Sequence, residues 1–214
     1  MKKFYLIRHG ESESNLAGNI YQSSESPLTV KGREQAEYVA KRVSHLTVDT
    51  IITSPSQRAN DTAEIISKKI GKPIEFSDLF VERKQPTRLA GMSRGSEEAK
   101  VLTIEWDKSI FSAGLRFEDG ENFDDIKARA LLALDLLAKR PEENILVITH
   151  GFFSRVVAAC VLFGRELKDK ELEAFAHKVR MVNTGLSMFR YNEKVKGLPW
   201  QLSVWNDHAH LADA

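Results

Sequence analysis

Ile145-Leu146-Val147-Ile148-Thr149-His150-Gly151 is the stretch on which the fold turns. Its four consecutive apolar residues leave no polar face for water, the pattern of a strand covered on both sides in a parallel sheet. Beyond it, Phe152 to Phe163 reads as a buried helix closed by Gly164. Before it lies a long helix with Asn122 and Asp125 as a capping pair and the apolar stripe Ile126, Ala130, Leu134 and Leu137.

The same alternation extends to both ends. Lys3 to Ile7 is a short β-leaning run. Val30 to Ser44 reads as a helix capped by Thr29, with Ala36, Val39, Ala40 and Val43 on one face. Thr50 to Thr53 reads as a strand, Ser56 to Ile70 as a helix ended by Gly71, and Pro73 to Phe76 as a further strand. Leu186 to Tyr191 and Gln201 to Trp205 are β-like. The expectation is one α/β domain over residues 1–214, a three-layer sandwich with a mostly parallel central sheet flanked by helices. A cap segment is inserted around residues 80–119, where only Ala99 to Trp106 has helical character.

Composition narrows the function. Of 214 residues, 42% are apolar and 29% charged, as in ordinary soluble proteins. A net charge of +1 gives no general attraction to nucleic acid or membrane, so neither is expected as a partner. Phe4 to Ile7, behind Met1-Lys2-Lys3, is too short for an export core, and the protein is expected to be cytoplasmic. The one cysteine, Cys160, excludes an internal disulfide and reads as an inert buried thiol. No Gly-x-Gly-x-x-Gly follows the first strand, which argues against dinucleotide binding. Nothing in the sequence sets the oligomeric state.

The unusual residues fall at strand ends. Arg8-His9-Gly10 follows the first strand, His150-Gly151 the buried one, and Ser54-Pro55-Ser56-Gln57-Arg58 places Arg58 in a first helical turn. Ligands of open α/β sheets bind beyond the carboxyl ends of strands. Two arginines and two histidines delivered to one edge suit a phosphoryl group, which carries about −1.5 to −2 charges near neutral pH.

Leu6-Ile7-Arg8-His9-Gly10-Glu11-Ser12 with Asn15 resembles the opening signature of the histidine phosphatase superfamily, the phosphoglycerate mutase-like family. Leu28 to Ala36, Ser54 to Ala63, Gly120-Glu121-Asn122 and Val147 to Gly151 match further segments in family order. The resemblance implies His9 as a nucleophile that becomes a phosphohistidine, with Arg8, Arg58 and His150 around the transferring oxygens. It implies Glu82 as the acid that protonates the leaving group, unless that residue serves a surface salt bridge. The family's Gly-aromatic-Glu-Gly segment is replaced here by Arg83 to Gly91. Asn15 is expected among the phosphate-binding residues, and the Thr184-Gly185 turn at the rim.

The function so implied is a phosphomonoesterase acting on a small phosphorylated metabolite, with no cofactor and no metal. Phosphoglycerate mutase-type transfer and a non-catalytic phosphate-binding role are the alternatives. The basic residues Arg83, Lys84, Arg88 and Arg94 form either a solvated loop or a lid that binds further anionic groups. His208 and His210 are expected in a solvated tail and not as metal ligands.

Overall fold

β4 (Asn144–Thr149) lies inside the sheet, parallel to β1 (Lys2–Arg8) on one side and β2 (Thr50–Thr53) on the other. The protein is described by a computed structural model covering residues 1–16, 25–93 and 95–212. β3 (Ile74–Phe76) extends the parallel part, while β5 (Leu186–Tyr191) and β6 (Trp200–Asp207) are antiparallel additions. The order is β3-β2-β4-β1-β5-β6.

The strand period of two splits the β4 side chains between two cores. Ile145 and Val147 join a cluster built from α5 (Phe123–Lys139) and α6 (Gly151–Phe163). Leu146 and Ile148 join the opposite cluster, from α2 (Val30–Val43) and α3 (Gln57–Ile70). All four are fully buried, each worth roughly 1.5–3 kcal/mol of transfer free energy. Helices on both faces of a mostly parallel sheet give the expected three layers.

Local signals set the helix ends. Thr29 Oγ1 accepts from the Gly32 amide at 2.9 Å, and Gly71 ends α3 in the left-handed region at φ 66°. Asn122 and Asp125 exchange side-chain and backbone bonds at 3.0 and 3.3 Å, a complete capping box. Cys160 is buried, and desolvation pushes its thiol up to about 12.

The cap segment carries two short turns, Asp78–Phe80 and Thr87–Leu89, and α4 (Glu97–Ile110). Leu89, Ala99, Leu102, Trp106 and Ile110 give it a small core of its own. α4 is longer than the sequence suggested because Ser96 caps it and its polar ends are laced by Lys100–Glu97 and Lys108–Glu105 pairs. Two elements were not anticipated: the single turn α1 (Glu13–Leu16) and α7 (Asp169–Lys178), which buries only Leu172 and Ala176 among charged neighbours. Nor is the end of the chain a solvated tail at His210. Its Nε2 lies 3.0 Å from Thr184 Oγ1, and burial holds the ring at about 4. His208 is exposed, as expected.

Candidate active site

Parallel register brings the strand ends together. Arg8 stands opposite Thr149, and Thr53 opposite Ile148. One residue further on, the ladder continues: the His9 amide donates to Thr149 O and the Ser54 amide to Ile148 O, both at 3.0 Å. β5 enters this edge from the opposite direction, so that the Thr184 amide donates to Arg8 O at 2.9 Å. The Thr184-Gly185 turn therefore fixes the backbone of Arg8 and does not form a rim.

His9 is 3% exposed. Its Nδ1 lies 2.7 Å from Gly10 O, and since a carbonyl only accepts, Nδ1 carries the proton. Nε2 therefore holds the lone pair, to which Arg58 Nε donates at 3.2 Å. Burial, reinforced by His150, Arg58 and Arg8, holds His9 well below 6.5 and keeps it neutral; the bond to Gly10 opposes this. Gly10 is required by close approach: a Cβ there would lie 2.4 Å from Gly32 O. The Gly10 amide also donates to Thr62 Oγ1, which bonds Arg58 O, tying the His9 loop to the first turn of α3.

His150 is fully buried at the N-cap of α6, its ring centroid 5.1 Å from that of His9. Its Nε2 contacts Ser54 Oγ at 2.9 Å, while Nδ1 has no partner among the described residues. Burial first, then the charges of Arg58, Arg8 and Arg129, lower its pKa well below 6.5. Arg8 Nη1 donates to Met181 O at 2.7 Å, and its side chain lies against Gly151, where a Cβ would stand 3.2 Å from Nε.

Glu82 reaches the same place from the cap segment. Its Oε1 accepts from the Phe153 and Arg83 amides at 2.9 and 3.0 Å, and Oε2 from the Phe152 amide at 3.1 Å. The carboxyl group thus sits on the N-terminus of α6. Three amides occupy three of its roughly four lone-pair positions and leave one open. Among the described residues it forms no salt bridge.

Arg8, Arg58 and Glu82 line a cleft of about 1070 Å³. Among the described residues seven cationic side chains line it against two carboxylates: Arg8, Lys31, Arg58, Arg83, Lys84, Arg155 and Arg180 against Glu11 and Glu82. Arg83 is paired to Asp107 at 2.6 Å, its guanidinium 3.9 Å from the Trp106 ring centroid. Arg155 lies over Phe152 and donates to the Gly151 and Ala176 carbonyls; no ion pair to it occurs among the described residues. The expectation of a basic lid is corrected in part. Arg88 does not line the cleft; it is exposed and bonded to Glu98 at 2.6 Å and Glu118 at 3.5 Å. Arg94 lies outside the described residues.

Asn15 is not among the residues that line the cleft. Its Oδ1 accepts from the Ser12 amide and hydroxyl at 3.1 Å, while Asn183, which lines the cleft, bonds His9 O at 2.9 Å. Sequence reasoning missed Asn183, Arg155 and Ser54; only Ser54, directly after a strand, carried a usable signal. Among the described residues no group of three His, Cys, Asp or Glu side chains is placed to hold a metal, and no helix is long and apolar enough to cross a membrane.

Known proteins resemble this chain in sequence and fold. A protein of Photorhabdus laumondii subsp. laumondii named probable phosphoglycerate mutase GpmB is 35% identical over 210 residues, covering 96% of this chain and 90% of that one. Among solved structures, YhfR of Bacillus stearothermophilus superposes with a TM-score of 0.83 at 27% identity, covering 99% of this chain and 100% of that one. A phosphoserine phosphatase mutant from Entamoeba histolytica in complex with phosphoserine gives a TM-score of 0.76 at 27% identity, with coverages of 99% and 100%. The model of the histidine phosphatase superfamily, branch 1, matches residues 4–208, and the chain belongs to that family.

Proposed function

We propose that this protein is a phosphomonoesterase that works through a phosphohistidine on His9. One observation carries the reading: a neutral imidazole with its lone pair on Nε2, held between Arg58 and His150. Neutral Nε2 attacks phosphorus as the ester P–O bond breaks, and a proton from Glu82 goes to the departing alkoxide. Water then attacks the phosphohistidine, Glu82 takes a proton from it, and phosphate leaves with Nε2 restored.

In this mechanism Arg8, Arg58 and His150 face the three transferring oxygens and stabilise their charge. Arg58 shifts its Nε–H from the His9 lone pair to a phosphoryl oxygen, which frees the nucleophile as the dianion binds. His150 takes part as a neutral ring held by the contact of its Nε2 with the Ser54 hydroxyl. Asn15 supports the loop behind His9. The substrate is a small phosphorylated metabolite, and the cationic excess further out favours one with a second anionic group near Arg155.

A second reading follows from the relatives named probable phosphoglycerate mutase. There the phosphoryl group passes from His9 to a second hydroxyl instead of water. Assaying phosphate release and phosphoglycerate interconversion side by side separates the two. Incubation with substrate and an alkaline denaturing quench should trap acid-labile phosphate on the protein, with turnover and label both lost in His9→Ala. Label that survives the substitution would remove His9 from the mechanism.

A further inference from the structure

The segment that carries Glu82 into the cleft has no helix or strand between Val81 and Pro86. Backbone carbonyls in such a segment must find donors outside a ladder. Here one buried side chain supplies donors for two of them and for a third just upstream. Arg129, on α5, is 8% exposed and does not line the cleft. Its Nη1 donates to the carbonyls of Leu79 at 3.0 Å and Val81 at 2.8 Å, and Nη2 donates to that of Glu82 at 3.3 Å. Nε and the second Nη2 proton form a fork on Glu121 at 2.6 and 2.7 Å. All five guanidinium protons thus have an acceptor, as a rigid planar donor allows and an ammonium does not.

Glu121 turns back onto the same segment. Its Oε2 accepts from the Lys84 amide at 2.8 Å, and its own amide donates to Lys84 O at 2.9 Å. Trp106 Nε1 holds the Glu121 carbonyl at 3.0 Å, and Thr149 Oγ1 holds that of Phe80 at 2.7 Å. Residues 79 to 82 and 84 are therefore each bonded through the backbone, three of them to one guanidinium. A buried ion pair is a poor source of stability compared with well-packed apolar residues. What this pair does beyond stability is fix a short irregular segment at the place where a proton must be delivered.

We infer that Arg129 is a positioning residue, which with Glu121 sets the Glu82 carboxyl against the leaving oxygen by holding the carbonyls of residues 79, 81 and 82. The inference rests on the reading of Glu82 as the acid. Misplacing a catalytic group by an ångström can cost about 100-fold in rate. That cost falls only on substrates that need the proton.

The test compares kcat/KM for p-nitrophenyl phosphate, whose leaving group departs without a proton, with that for a simple alkyl phosphate, whose alkoxide requires one. Because both substrates are measured on one sample, their ratio cancels any loss of folded enzyme. Glu82→Gln should lower the alkyl rate by about 100-fold or more, and the aryl rate far less. Arg129→Lys keeps the charge but not the five-donor fork. Arg129→Met with Glu121→Gln removes both charges and leaves no lone buried ion. Each should lower the alkyl-to-aryl ratio by about tenfold or more. An unchanged ratio in both Arg129 variants, with Glu82→Gln still selective, overturns the inference. A Glu82→Gln enzyme with no selectivity overturns the acid reading and the inference together.

Discussion

His9 and His150 are two histidines that folding strips of water, and their cost to the folded state depends on pH. Both have folded pKa values well below 6.5, mainly through burial and then through neighbouring positive groups. Below pH 6.5 the unfolded chain takes up protons that the folded one refuses, so stability falls as pH drops from 6.5 toward the folded values. The slope is up to about 1.4 kcal/mol per pH unit for each ring. Above 6.5 both rings are neutral in either state and contribute no slope. Urea unfolding should therefore give a clearly smaller free energy at pH 5.5 than at 7.5, and His150→Asn should flatten the difference. Half-buried His210, held at about 4, adds a smaller contribution of the same sign.

At the scale of elements, α5 ties the site to the frame, and its start is set by the Asn122–Asp125 box. Asn122→Ala should cost about 1 kcal/mol, within a range of roughly 0.5–2, read as a lower urea midpoint at unchanged slope. The box was legible in the sequence because its partners lie three residues apart. So were Arg8, His9, Arg58 and His150: each directly follows a parallel strand or opens the helix after one, and parallel register does the rest. Legibility failed where partners are remote in sequence or periodicity is weak. Arg129 reaches back 50 residues to Leu79, and Asn183 reaches the site only because β5 runs against β1. α7 escaped because ten residues with two buried ones give too short a stripe. Arg88 was misplaced because charge composition does not reveal that Glu98 and Glu118 already hold it.

Over the whole molecule the net charge is +1, yet the cleft gathers seven cations against two carboxylates among the described residues. A field so concentrated draws anions toward the opening and weakens as salt shortens its reach to ~8 Å at 0.15 M. Arg155→Ala should raise KM for a phosphorylated acid more than for p-nitrophenyl phosphate, and the difference should shrink with added salt. Arg88→Ala, outside the cleft, should change neither constant; equal effects of the two substitutions would refute the assignment. The sheet order carries one more consequence. β1 spans residues 2 to 8, yet its two neighbours are β4, at 144 to 149, and β5, at 186 to 191. β1 can pair on one side only after residues 144–149 have been made, and on the other only after residues 186–191. A nascent chain halted before β5 emerges lacks the turn that anchors Arg8, so the site cannot be completed until that strand is made.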